Sequence, residues 1–360
     1  EKSGETELET TVSLVGGQNL LTAYGFNNEN IKSSDARLVV NNTETLKRKG
    51  VFYIVSVGVA KYENPRFNLN YVERDATEFS SQLRLKQSEL DRYERVEVIS
   101  LFNEDATKSN IIAAIKRLAG IEETAKNLPP VLEKLRKAEP EDTVAVFYSG
   151  HGTSQNERFY LLPFDLGYTD ASKPLDEKTL KKVLANSISD AELEQAFREI
   201  DAGQILLVID ACNSGQVLES SDERHAPMNN KGLAQLAYDK GMYILTASQS
   251  IESAYVSEAL KRSYLSYALV EEGLKTSVAD AHPKDGKMTV REWFDYAGNR
   301  VPQLRKDVNE GLLTVEAKKG LEEEETKETK KKIKAKSSQR PRAFYRRQNN
   351  SQALVISQTR

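Results

Sequence analysis

Residues 205–215 read ILLVIDACNSG. An uncharged apolar run, Ile205 to Ile209, leads into Asp210-Ala211-Cys212, and small polar residues follow. A run of this kind suits a strand covered on both faces, as in parallel sheets. VAVFYSG (144–150) has the same character and passes into His151-Gly152-Thr153. VFYIVSVGV (51–59), VEVISLF (96–102) and MYILTAS (242–248) complete the set of long strands, and FYLLP (159–163) is a short one. Between them the apolar spacing turns helical. Tyr71, Val72, Ala76, Phe79 and Leu83 mark one face over 69–85; Ile111, Ile112, Ile115 and Leu118 mark another over 107–119. Asp190 to Ile200 reads as a helix with Asp190 as N-cap, and helices follow near 263–272 and 290–300. Strands alternating with helices predict an α/β, three-layer αβα sandwich around a mostly parallel sheet. Ligand sites in such sheets lie beyond the carboxyl ends of the strands.

Composition narrows the classes. Of 360 residues, 39% are hydrophobic and 29% charged, with a net charge of −3. No basic face argues for nucleic acid. No apolar run approaches the ~20 residues of a membrane span. A single cysteine, Cys212, forms no internal disulfide, so folding needs no oxidising compartment, and a cytoplasmic location is the expectation. Glu1 opens no signal-like segment, which fits a processed chain or a piece of a longer polypeptide.

The ends differ from the middle. LETTVSLV, NLLTAYGF and ARLVV (8–40), separated by Gly16-Gly17-Gln18-Asn19 and Asn27-Asn28-Glu29-Asn30, predict three short strands. Residues 1–45 are thus a β-rich segment, either the end of a sandwich-like domain or a docked extension. Residues 46–305 form the main domain. Residues 306–340 include EAKKGLEEEETKETKKKIKAKSSQR (316–340), too charged to bury a core, and read as a linker. RAFYRRQ and ALVISQ, within 341–360, predict a terminal hairpin returning to the body.

His151 and Cys212 each follow a long strand and each has glycine close by. If the two strands are parallel neighbours, the imidazole and the thiol emerge on one edge. A free thiol has a pKa of about 8.5, which a nearby imidazole lowers. The thiolate attacks a carbonyl and the imidazole protonates the leaving amine. The backbone N–H groups of Gly152 and Cys212 are the candidate donors for the oxyanion. A lone cysteine is usually a small buried hydrophobe and a lone histidine usually structural. Here the two coincide, while His225 lies in a polar loop and His282 precedes Pro283 in a turn.

YSGHG (148–152) and DACNSG (210–215) resemble the two signature segments of the caspase-like cysteine peptidases (peptidase C14), nearest the bacterial and metacaspase branch. VFYIVSVGVAKYEN, YVERDATEFSSQL, FYLLPFD and MYILTAS resemble further segments of that family, so the likeness spans about 50–305. Asn213 departs from it, since many relatives carry histidine after the cysteine. The N-terminal strands resemble the β-rich segment that precedes the peptidase domain in multidomain bacterial relatives. The resemblance implies an endopeptidase with a His151–Cys212 dyad acting on protein or peptide substrates. It leaves room for an activating protein partner or an upstream domain. Asp210, two residues before the thiol, implies a pocket for a cationic P1 side chain, and Asp75 resembles a second acid of that pocket. A carboxylate pairs bidentately with Arg. Cleavage after Arg or Lys is therefore expected.

Other features were weighed. Gln216 to Gly232 is a polar loop whose Arg224 and Lys231 suit self-cleavage. Ala254-Tyr255-Val256-Ser257 is a candidate edge for pairing with a peptide. Asp285, Gly286 and Glu292 match positions 5, 6 and 12 of a calcium loop, but Ala281, Pro283 and Lys287 occupy other ligand positions, so a tight turn before a helix is the better reading. No cofactor or metal is called for, and calcium activation finds no clear site. The competing readings are a catalytically silent caspase-like interaction module and a hydrolase of small amides or esters.

Overall fold

The apolar runs become adjacent strands because each carries side chains for both faces of one sheet. The computed structural model describes residues 7–25, 27–29, 31–43, 48–121, 127–155, 158–173, 175–213, 234, 237–238, 240–247, 256–257, 260–310, 339–345 and 353–359. The first half contains β1 (Gly17–Ala23), β2 (Ala36–Asn42), β3 (Val51–Gly58), α1 (Val72–Leu90), β4 (Arg95–Phe102), α2 (Lys108–Leu118), β5 (Thr143–Gln155) and β6 (Arg158–Leu161). Then come α3 (Glu177–Asn186), β7 (Ile188–Ser189), α4 (Asp190–Arg198), β8 (Gln204–Asn213), β9 (Tyr243–Thr246), β10 (Val256–Ser257) and β11 (Arg262–Ser263). Next is α5, a helical turn Tyr264–Ser266 that runs on as a π-helix Tyr267–Lys275. β12 (Lys287–Thr289), α6 (Val290–Asn309), β13 (Arg342–Phe344) and β14 (Val355–Gln358) complete the described elements.

The central sheet has the order β13-β9-β8-β5-β3-β4. β4, β3, β5, β8 and β9 are mutually parallel, and β13 is antiparallel to β9. Successive residues feed opposite faces, as the period of a strand requires. Phe52, Ile54, Ala145, Phe147, Leu206 and Val208 pack with Phe79 and Leu83 of α1, Leu269 of α5 and Trp293 of α6. Tyr53, Val55, Val144, Val146, Leu207 and Ile209 pack with Ile111 and Ile115 of α2 and Phe197 of α4. The result is the expected αβα sandwich. Chain order places β4 on one side of β3 and β5 on the other, so the sheet changes winding direction between β3 and β5.

Several details depart from the sequence reading. Among the described residues, the N-terminal segment holds two strands, not three. β1 and β2 pair antiparallel from Gly17↔Asn42 to Ala23↔Ala36, while residues 7–15 form no strand. In the ribbon Leu20, Leu38 and Val39 remain exposed. It meets the body through Tyr24, whose ring stands edge-on to Tyr238, with the Lys32 ammonium over both rings. The C-terminal pieces do not form a hairpin with each other. β13 extends the central sheet beside β9, and β14 pairs with β12, fixed by the Gln87 amide donating to the Ile356 carbonyl at 2.8 Å. The N-cap of α4 is Ser189, not Asp190. Ser189 and Glu192 close a reciprocal capping box, which a serine three residues before a glutamate favours over an aspartate at N1. α3 was not foreseen, although Asp176 caps it by accepting from the Thr179 N–H at 2.7 Å. The charged stretch 316–338 lies outside the described residues.

Candidate active site

β5 is longer than its apolar run. It stays paired with β8 through Gly152↔Asn213 and meanwhile begins an antiparallel pairing with β6 at Gly152↔Leu161. His151 thus sits at the fork where one strand serves two partners, rather than beyond a strand end. The same register sets His151 opposite Cys212 and Ser149 opposite Asp210. Register partners in adjacent parallel strands share a sheet face, so the sequence expectation of neighbouring positions on one edge is met by the backbone.

The imidazole is buried, 5% exposed, and held from one side. Its Nε2 lies 2.9 Å from the Phe67 carbonyl. A carbonyl only accepts, so Nε2 carries the proton and Nδ1 is the bare, basic nitrogen. Nδ1 has no hydrogen-bond partner among the described residues. The Phe67 ring stands edge-on to the imidazole at 5.9 Å and Tyr62 lies tilted over it at 5.3 Å. Burial pushes His151 down to about 4, against the Phe67 bond, which favours the charged form.

Phe67 is placed by the loop after β3. Asn64 caps the short turn Pro65–Phe67 by accepting from the Arg66 N–H. Asn103 Oδ1 accepts from the N–H groups of Ala60 and Lys61, and its amide donates to Glu73 at 2.8 Å. The main chain of His151 is gripped by two tyrosines. Its N–H donates to the Tyr62 hydroxyl at 2.8 Å, and its carbonyl accepts from Tyr148 at 2.9 Å. Gly150 makes room for both. A Cβ there would lie 2.8 Å from the Tyr148 oxygen and 3.1 Å from that of Tyr62. Gly150→Ala is therefore expected to lower unfolding stability by about 1–3 kcal/mol, read from the urea midpoint. An unchanged midpoint would show that the tyrosines yield freely.

The two acids named from the sequence come together. Asp75, on the first turn of α1, and Asp210, on β8, are both buried and both bond to Ser263. The Ser263 N–H donates to Asp75 Oδ2 at 3.0 Å, and its hydroxyl donates to Asp210 Oδ2. Burial first, and the Asp210 charge second, raise Asp75 to about 8; Ser263, Ser266 and Arg262 act in the other direction. Burial also raises Asp210 to about 6, against the Ser263 bond. Ser263 itself is fixed as N-cap of α5, its Oγ accepting from the Ser266 N–H at 2.8 Å.

Sequence reasoning missed Phe67, Tyr62, Tyr148 and Ser263. Only Ser263 carried a local signal, a serine directly before a helix. Gly152 lies in the ladder between Leu161 and Asn213. The proposed self-cleavage loop 216–232, with Arg224 and Lys231, is outside the described residues, as are Ala254 and Tyr255. Val256 and Ser257 pair with Ser263 and Arg262. Glu292 completes the capping box of α6 with Thr289 and accepts from the His282 N–H, so it acts as a helix-start residue. Among the described residues no group of three or more His, Cys, Asp or Glu is placed to hold a metal, and no helix is long and apolar enough to cross a membrane.

A mostly parallel sheet between two helical layers, with a histidine and a cysteine in register near the carboxyl ends of its central strands, defines a caspase-like sandwich. The chain belongs to the caspase-domain family of C14 peptidases, whose model matches residues 53–342. No curated protein matches it. Among solved structures it is similar to protein GSU0716 from Geobacter sulfurreducens, at 15% identity and a TM-score of 0.42, covering 69% of this chain and 88% of that one.

Proposed function

We propose that the chain is a cysteine endopeptidase that cuts after Arg or Lys. The observation that carries this reading is the His151↔Cys212 register together with an imidazole whose Nε2 is committed to Phe67 and whose Nδ1 is left unprotonated. In the reaction, the Cys212 thiol gives its proton to Nδ1 as sulfur bonds to the scissile carbonyl carbon. The tetrahedral oxyanion is held by the N–H groups of Gly152 and Cys212. Collapse breaks the C–N bond, and His151 returns the proton to the leaving amine, giving a thioester. Water, deprotonated by the same imidazole, then releases the acid and restores the thiol. Asp75 and Asp210, buried around one serine, supply negative charge for a basic P1 side chain.

A peptide electrophile with P1 Arg, incubated with the native chain, is expected to add covalently to Cys212, as read by intact mass and peptide mapping. A P1-varied substrate library should show cuts after Arg and Lys only. Cuts after other residues would remove the specificity claim. No labelling by electrophiles of any P1 type would favour the silent interaction module.

A further inference from the structure

The acid pair has a property beyond its charge. Asp75, Asp210, Ser263 and Ser266 are each at most 5% exposed. One serine serves both carboxylates, with its N–H on one and its hydroxyl on the other. Asp75 Oδ1 and the Ser266 hydroxyl remain without a well-formed hydrogen bond, although Ser266 lies near enough to favour the ionised acid. Among the described residues, the cations near the pair are drawn towards glutamates. Arg262 pairs outward with Glu78 at 2.9 Å and Glu271 at 2.8 Å, Lys275 pairs with the same two glutamates, and Arg74 pairs with Glu78. Burial works against Glu78, but Arg74, Lys275 and Arg262 hold it down to about 2, so it keeps its charge and keeps those cations.

Two carboxylates this buried, with Arg262 paired outward to glutamates, do not readily ionise together. Resting on the basic-P1 reading, we infer that Asp75 and Asp210, joined through Ser263, together hold one proton when no cation lies beside them, and that entry of a cationic P1 side chain expels this proton to solvent. Substrate capture then exchanges one positive charge for another, and the buried charge of the pocket changes little. The hydroxyl and N–H of Ser263 make it a positioning residue for both acids. Its hydroxyl bond favours the ionised form of Asp210.

The affinities for protons give the expected count. Groups at about 8 and about 6 together hold about one proton at pH 7 and almost none at pH 9. The test uses the full chain carrying Cys212→Ala, so that a P1-Arg peptide binds without being cut. Calorimetric titration in phosphate and in Tris, whose ionisation enthalpies differ, reads the protons released. About one should leave at pH 7, with the number falling towards zero at pH 9. Ser263→Ala should push the count at pH 7 above one, because Asp210 loses the bond that keeps it acidic. Asp75→Asn should bring it towards zero, an effect a purely structural role would not produce. Tight P1-Arg binding with no proton release at pH 7 would overturn the inference and leave the specificity reading standing. Equal affinity for P1-Arg and P1-Ala peptides would overturn the specificity reading, and the inference with it.

Discussion

Cys212→Ala is expected to hydrolyse a P1-Arg peptide at least ~10³-fold more slowly than the native chain, and His151→Ala to reach a similar floor. Either change removes a member of a unit. Without sulfur there is no acyl intermediate. Without the imidazole no base takes the thiol proton, and the amine leaves without one. Because the two act together, the double variant should be no slower than the single ones. Affinity for the uncut peptide should hold in both, since the proposed P1 pocket lies on Asp75, Asp210 and Ser263. Acidity gives a further readout. Burial pushes His151 down to about 4, against 6.5 for an ordinary imidazole, so kcat/KM should not lose this base until the pH falls towards 4. The same shift affects stability. Between pH 6.5 and about 4 the unfolded chain takes up a proton that the native imidazole refuses, so this group's contribution falls as pH drops through that window. Turnover surviving in Cys212→Ala would end the dyad reading.

The sheet was legible because its signal is local. Val51 to Val55, Val144 to Tyr148 and Ile205 to Ile209 are apolar on both parities, as strands covered on both faces need. The partners of the proposed dyad were legible as residue types in an unusual setting. Their support was not. Phe67 contributes a carbonyl, and a backbone acceptor leaves no trace in side-chain identity. Tyr62 and Tyr148 look like ordinary core aromatics until their hydroxyls are seen on the main chain of His151. Ser263 lies 53 positions from Asp210 and 188 from Asp75, so no local pattern links the three. The same logic explains the misread ends. Leu8 to Val15 has the residue types of a strand, but no partner pairs with it. β13 and β14 looked like a hairpin because they adjoin in sequence, whereas the edge of β9 and the short β12 give each a different partner. Strand propensity is visible in the chain; the choice of partner is made by the rest of the fold.

Asp75→Asn and Asp210→Asn should separate recognition from stability in opposite directions. Each is expected to lower kcat/KM for P1-Arg peptides by ~10²- to 10³-fold, the scale of removing one partner from a buried charged pair, about 3–4 kcal/mol. Stability should move the other way. Asp75 is raised from 3.8 to about 8 and Asp210 from 3.8 to about 6. A carboxyl raised in the fold gives stability that is whole below its unfolded value and is lost as pH rises through its folded value. The native chain therefore weakens from about pH 4 upward, through about 6 for Asp210 and about 8 for Asp75. Asparagine does not ionise, so each variant should be flatter over that window and should melt above the native chain at pH 8.5, with a smaller difference at pH 5. Calorimetric melting of the three proteins at both pH values reads this directly. The burial that makes the two acids costly to charge is what would give a guanidinium or ammonium so much to neutralise on arrival. Variants that lost P1-Arg cleavage and melted lower at both pH values would show that the acids hold the fold together rather than await a cation.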